Sequence, residues 1–252
     1  MDNPVPQIPT LDGCSVREVS STEAAVIIHK YEWLGTVGRA VLCVGLFSRE
    51  EELIGVACFG WPCSPESRDI CGKENRDLAI CLERGACAHY APPNAPSFLI
   101  SRACQIAAER GWPLVYAYAD EDAGEIGAVY QACNWLYIGQ GVGRTPGRLR
   151  NYYVTPEGTV LSSRSLRHKK MTHTQAVAAG WQVRHQKPKH KYVLISGNKR
   201  QKRQLLEKLR YPPLPYPKRS AVFKIGGVLA ALARIADALE KIANSARAPA
   251  LR

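Results

Sequence analysis

The sequence predicts an α/β domain built on a mixed sheet flanked by helices, continued by a basic α+β extension and a terminal amphipathic helix. Three observations carry that prediction. Apolar residues switch between a period of two and a period of 3.6, helices alternate with strands after residue 90, and the charge changes sign near residue 144.

The elements follow in order. Cys14–Val19 alternates as a short strand, and Ser21 or Thr22 offers an N-cap with Glu23 in the first turn. Ala24, Ala25, Ile27 and Ile28 give the helix its apolar side as far as Tyr31 or Trp33, before Gly35 and Gly38 break it. Ala40–Phe47 and Leu53–Phe59 read as a hairpin across the charged link Ser48–Glu52. Trp61–Asn75 is a polar loop, and Leu78–Tyr90 is a strand with a break or bulge near Arg84 and Gly85. Pro92, Pro93 and Pro96 lead into a helix whose apolar stripe runs from Phe98 to Ala107. Leu114–Ala119 is a buried strand ending at Asp120, Glu121–Gly124 a turn, Glu125–Cys133 a short helix and Trp135–Gly139 another strand. The order is β-α-β-β-β-α-β-α-β.

Past residue 147 the pattern loosens. Tyr152–Ser162 suits a hairpin turning at Pro156-Glu157-Gly158, and Met171–Trp181 holds a small helix. Lys191–Ser196 is a strand and Asn198–Leu209 a basic helix, whereas the prolines of residues 211–217 require extended chain. Val222–Ala243 places Leu229, Leu232, Ile235 and Leu239 at helical spacing, a face that packs on the body or builds a homodimer.

Charge divides the chain into three parts. Residues 1–143 carry 10 Lys/Arg against 18 Asp/Glu, residues 144–220 carry 19 against 2, and residues 221–252 carry 5 against 2. The predicted organisation is an α/β core at 1–143, a basic nucleic-acid-binding extension at 144–220 and the amphipathic helix at 221–252. A block of this sign displaces counterions from a phosphate backbone, and its aromatic residues suit base stacking. The polar, proline-rich start shows no secretory signal, and no apolar run approaches the roughly 20 residues of a membrane span. The nine cysteines form no Cys-x-x-Cys pair and no metal-ligand spacing, so reduced thiols, a cytoplasmic location and no metal site are expected.

Ligands of open α/β sheets sit beyond the carboxyl ends of strands, often against a helix N-terminus. That rule gathers Asn94, Ser97, Asp120 and the helix carrying Tyr130 and Asn134 around one crevice. Asp120 is a candidate general base or amine-orienting group, or else a cap of the following turn. Arg84 is either an anion clamp or the partner of Glu83 or Asp120. Ser97 is a donor to an anion or simply a helix N-terminal residue. His29 and Tyr31 close the first helix on the side that would face an acceptor. Tyr130 and Asn134 suit contacts to a base, and Lys199, Arg200, Lys202 and Arg203 suit its phosphates.

Several short motifs occur in a consistent order: Leu82-Glu83-Arg84, Pro93-Asn94-x-x-Ser97-Phe98, Ser101-Arg102, Tyr118-Ala119-Asp120, Gly124-Glu125-Ile126-Gly127, Tyr130-Gln131-Ala132 and Asn134 through Gly139. With Leu209–Arg219, they are similar to the Mom family of phage DNA-modification proteins, a divergent branch of the GNAT acyltransferase fold. The resemblance spans residues 14–219. It implies carbamoylmethylation of the adenine N6 amino group in phage DNA, as protection against host restriction. It supports Asp120 as a catalytic residue; His29 and Tyr31, from their place at the end of the first helix, are the further catalytic candidates, and Arg84, Asn94, Ser97 and Arg102 are the candidate donor contacts. Double-stranded DNA with a flipped adenine is the implied partner. The family commonly has His where Glu125 stands. Ordinary GNAT enzymes cradle the coenzyme A pyrophosphate in a glycine-rich loop, whereas Pro92, Pro93 and Pro96 remove three donors here. Acetyl-CoA, or another acyl-CoA, is thus one candidate donor beside an unidentified one. Two alternatives stay open: an acyl-CoA N-acetyltransferase acting on a protein or small amine, and a non-catalytic DNA-binding protein.

Overall fold

The computed structural model describes residues 10–32, 35–61, 65–141 and 150–218. The predicted helix of residues 221–252, and dimerisation through it, lie outside the described residues.

Local chemistry sets most boundaries. β1 (Ser15–Val19) leads to α1 (Ser21–Tyr31), whose N-cap is Ser20, one residue earlier than predicted. The Ser20 hydroxyl accepts the Glu23 N–H while the Glu23 carboxylate accepts the Ser20 N–H, a reciprocal capping box. β2 (Ala40–Phe47) and β3 (Leu53–Gly60) form the predicted hairpin. The predicted loop that follows contains two 3-10 turns, Pro65–Cys71 and Lys73–Leu78. They are pinned by a bidentate pair from Arg76 to the buried Asp69, with contacts of 2.5 and 2.7 Å. β4 (Ala79–Cys87), α2 (Ala95–Glu109) and β5 (Leu114–Ala119) come next. α3 (Ala128–Ala132) is shorter than predicted because Gly127, at φ 74°, precedes it. β6 spans Leu136–Gln140.

The seven-stranded sheet has the order β1-β2-β3-β4-β5-β10-β6, with β10 formed by His190–Ile195. Among the described residues only β4 and β5 pair in parallel, which makes the sheet mixed. Strand neighbours point to opposite faces. Ala57 and Leu82 therefore join Leu99, Ala103 and Ala107 of α2 on one face, while Val56 and Cys58 meet Ile27 and Ile28 of α1 on the other. Cys81 shares that second face with Leu205 of the basic helix α6 (Lys199–Glu207).

The sheet does not stop at residue 143. β10, from the basic part of the chain, sits between β5 and β6 and hydrogen-bonds to both. What leaves the sheet is the insertion between β6 and β10. It holds β7 (Arg150–Val154), β8 (Val160–Ser162), α4 (Ser163–His168), α5 (His173–Ala178) and β9 (Gln182–Gln186). The hairpin and α5 match the sequence reading, whereas α4 and β9 were not foreseen. These strands form a second sheet, β8-β7-β9, around Tyr153, Leu166 and Ala176. Among the described residues eight cysteines are free, and no helix is long and apolar enough to cross a membrane.

Candidate functional site

β4 and β5 are paired from Ala79↔Leu114 only as far as Leu82↔Ala117. There β4 carries a bulge: Phe59 opposes Leu82 and Cys58 opposes Arg84, so Glu83 is the extra residue. The predicted break thus falls one residue before Arg84. Bulges bend a strand and end its pairing on one side. Beyond this one, β4 follows β3 and β5 follows β10, leaving a gap between them.

The gap is a cavity of about 420 Å³. Its walls come from Gly85–Cys87 of β4, the first turns of α2, Ala119 at the end of β5, and the run from Ala123 to Tyr130. Most of the lining is apolar, including Val56, Leu82, Leu99 and Ile100. Glu125, Tyr130 and Cys87 supply its titratable side chains. Burial pushes the Cys87 thiol up to about 11 and the Tyr130 phenol well above its ordinary value, so both are neutral at physiological pH. Tyr130 is braced by Trp135 and Tyr192, with ring centroids 5.0 and 5.4 Å away.

The carboxylate expected at this site, Asp120, is buried at the end of β5 and does not line the cavity. It pairs with Lys189 at 2.6 Å and accepts the Asp122 N–H at 3.1 Å. Its own N–H donates to Glu125 Oε2 at 3.1 Å, which ties it to a residue that does line the cavity. Beside them, His190 bonds the Tyr137 hydroxyl through Nδ1 at 3.0 Å, and burial lowers its pKa.

The other anticipated residues are dispersed. His29 is exposed, and Tyr31 packs edge-on against His89 at 5.1 Å; neither lines the cavity. Arg84 donates to the carbonyls of Thr36 and Glu83 at 3.0 and 2.6 Å. Arg102 is exposed and reaches Gln105. Asn134 is exposed at φ 56°, the left-handed position that ends α3. Only Tyr130 of that set borders the cavity. Lys199, Arg200, Lys202 and Arg203 are exposed on α6, where Arg203 pairs with Glu207 at 3.4 Å.

The start of α2 tests the fit of coenzyme A. The Ala95 N–H donates to Pro92 O, Pro96 has none, and the Phe98 N–H donates to Asn94 O. The Ser97 hydroxyl also donates to Asn94 O at 3.0 Å, and Asn94 makes no side-chain cap. At the N-cap and first turn the Asn94 and Ser97 amides are left to face an anion. Two amides, with Arg84 bonded to the Thr36 and Glu83 carbonyls and Arg102 to Gln105, are fewer donors than a glycine-rich pyrophosphate cradle presents.

Two features escaped the sequence reading. Lys191 on β10 is 1% exposed, donates to Ser67 O at 2.9 Å and lies 4.9 Å from the Tyr116 ring. A charged residue inside the apolar run of residues 190–195 was the available signal. Lys187 and Lys189, which hold the turn after β5, gave no local signal because their partners lie more than 60 residues away.

The sequence profile described as the Mom protein family matches residues 13–218. No curated protein matches the chain. Similar solved structures include a Bacillus subtilis acetyltransferase in complex with CoA, at 10% identity and TM-score 0.40, covering 72% of this chain and 97% of that one. An IAA acetyltransferase from Bacillus cereus has 9% identity and TM-score 0.41, covering 72% and 99%. A GNAT family N-acetyltransferase from Escherichia coli in complex with CoA has 12% identity and TM-score 0.38, covering 53% and 72%.

Proposed function

The chain belongs to the Mom protein family, and from that premise we propose that it is a group transferase modifying the adenine N6 amino group of DNA. The supporting observation is the cavity where β4 and β5 part, mostly apolar, with Glu125, Tyr130 and Cys87 as the titratable residues that line it. An exocyclic amine stacked in a duplex is out of reach, so the base enters flipped or from single-stranded DNA. A cavity of about 420 Å³ is within the range that takes a base-sized ligand.

In this reading Glu125 accepts the N6–H. As nitrogen bonds to the electrophilic carbon of the donor, the donor's leaving group departs with its electron pair and the N6 proton passes to Glu125. Tyr130, neutral and braced by two rings, donates a hydrogen bond within the cavity. Asp120, neutralised by Lys189, fixes the turn that carries Glu125. Apolar walls keep water from competing for the donor. The α2 N-terminus offers few donors to a pyrophosphate, which favours a small activated carbamoylmethyl donor other than coenzyme A.

Mass spectrometry of nucleosides from DNA of cells expressing the protein tests this reading. A carbamoylmethylated deoxyadenosine is the expected product. Unmodified adenine alone, with folded protein present, overturns it. Acetylation of a small amine from acetyl-CoA, with no change in DNA, would replace it with an N-acetyltransferase.

A further inference from the structure

The basic part of the chain offers two cationic surfaces, at opposite ends of the sheet. α6 follows β10, whose last residue Ile195 pairs with Leu114 at the start of β5. Ser196 N then bonds Pro113 O, so α6 begins at the end of the sheet remote from the cavity. The six residues of β10 separate the two ends, a span of about 20 Å at roughly 3.3 Å per residue.

The insertion departs and returns at the other end. His190 pairs with both Ala119 and Gln140, so both roots of the insertion adjoin the end of β5 that lines the cavity. Those roots are tied to the wall of the site. Lys189 pairs with Asp120, Lys187 Nζ with Glu121 at 3.2 Å, and the Lys187 N–H donates to Asp122 at 3.0 Å. Gly141 N also bonds Lys189 O, closing the insertion at its neck.

Residues 141–189 carry ten Lys/Arg against one acid, Glu157. Tyr153 and Val183 are register partners turned toward α4 and α5, which puts Tyr152 and Arg184, also partners, on the open side of the small sheet. Arg184 is exposed there, and Arg167, Lys169 and Lys170 are exposed at the end of α4 and just beyond. None of these four has a carboxylate partner among the described residues. Arg184 therefore stands on the open face beside Tyr152, and Arg167, Lys169 and Lys170 stand on the α4 side; unneutralised cations with an aromatic on so small a unit suit contacts to a nucleic-acid backbone.

We infer that the insertion between β6 and β10, and not α6, is the clamp that holds DNA at the cavity, through phosphate contacts from Arg167, Lys169, Lys170 and Arg184. The inference rests on the proposed reading that the substrate is DNA. It gives the lysines at the neck a second consequence: the same link that carries the clamp fixes the turn bearing Glu125.

The test compares two full-length variants of equal charge change. One carries Arg167→Glu, Lys169→Glu, Lys170→Glu and Arg184→Glu; the other carries Lys199→Glu, Arg200→Glu, Lys202→Glu and Arg203→Glu. Affinity for a short labelled duplex is measured against salt concentration, with thermal unfolding run in parallel. The insertion variant should lose at least about 100-fold in affinity and about 3 to 4 in the slope of log affinity against log salt. The α6 variant should stay within about threefold of the parent chain. An equal loss in both, or a loss confined to the α6 variant, overturns the inference and leaves the DNA reading standing. No binding of duplex or single strand by the parent chain, with polyglutamate bound instead, removes the DNA reading and the inference with it. Should the insertion variant unfold, the Gln versions of the same four substitutions decide by the same slopes.

Discussion

Lys189 Nζ lies 2.6 Å from Asp120 Oδ2, an ion pair whose carboxylate side chain is only 5% exposed. It joins the link before β10 to the last turn of β5, across 69 residues of sequence. The pair makes Asp120 a brace for the turn that carries Glu125.

Removing Lys189 leaves the Asp120 carboxylate buried and uncompensated. Lys189→Ala should destabilise the protein by about 3 kcal/mol, measured by urea unfolding. Asp120→Asn should cost less, because Asn still accepts the Asp122 N–H. Equal stability of the Lys189→Ala variant and the parent chain would show that the pair is solvated.

Glu125 has the opposite profile. Glu125→Gln keeps an oxygen for the Asp120 N–H but removes the proton acceptor. Stability should change by less than about 0.5 kcal/mol while the rate of DNA modification falls by about 10² to 10⁴. An unchanged rate would assign proton transfer to another group.

The buried Lys191 makes stability depend on pH. Burial pulls its ammonium down to about 8 from 10.5. The unfolded chain therefore binds more protons between those values, and this group's contribution to stability rises with pH through that window. Lys191→Met removes the effect. The stability of the parent chain relative to Lys191→Met should rise by on the order of 2 kcal/mol between pH 7 and pH 10. Parallel curves for the two proteins would mean that the ammonium reaches water.

Gly127 closes the cavity where Tyr192 packs against the backbone. A Cβ there would overlap the Tyr192 ring, and the residue sits at φ 74°. Gly127→Ala should cost at least about 2 kcal/mol from strain and overlap together. It should also slow DNA modification, since Tyr192 braces Tyr130. Wild-type unfolding and activity would contradict the close approach.

Much of the architecture was legible in the sequence because it is local. The apolar period places α1, α2 and β1 to β6 within a residue or two for most of their bounds, and the break in β4 is visible beside Arg84. The small helix expected within Met171–Trp181 is α5, capped by Thr172 through a reciprocal bond with Gln175. The errors are local as well. The helix after β5 starts at Ala128 because Gly127 adopts a left-handed conformation, which spacing alone does not disclose.

The sequence by itself determined the order of elements, the family motifs and the separation of an acidic body from a basic continuation. These follow from residue type and short-range periodicity. Only the tertiary structure decided that β10 enters the sheet between β5 and β6, which brings Lys189 to Asp120 and hangs the insertion beside the cavity. It also decided that Glu125, not Asp120, borders that cavity, and that Lys191 is buried. Strand pairing and ion pairing are set by hydrogen-bond register between distant segments, and a hydropathy pattern fixes which face a strand buries but not which strand lies beside it.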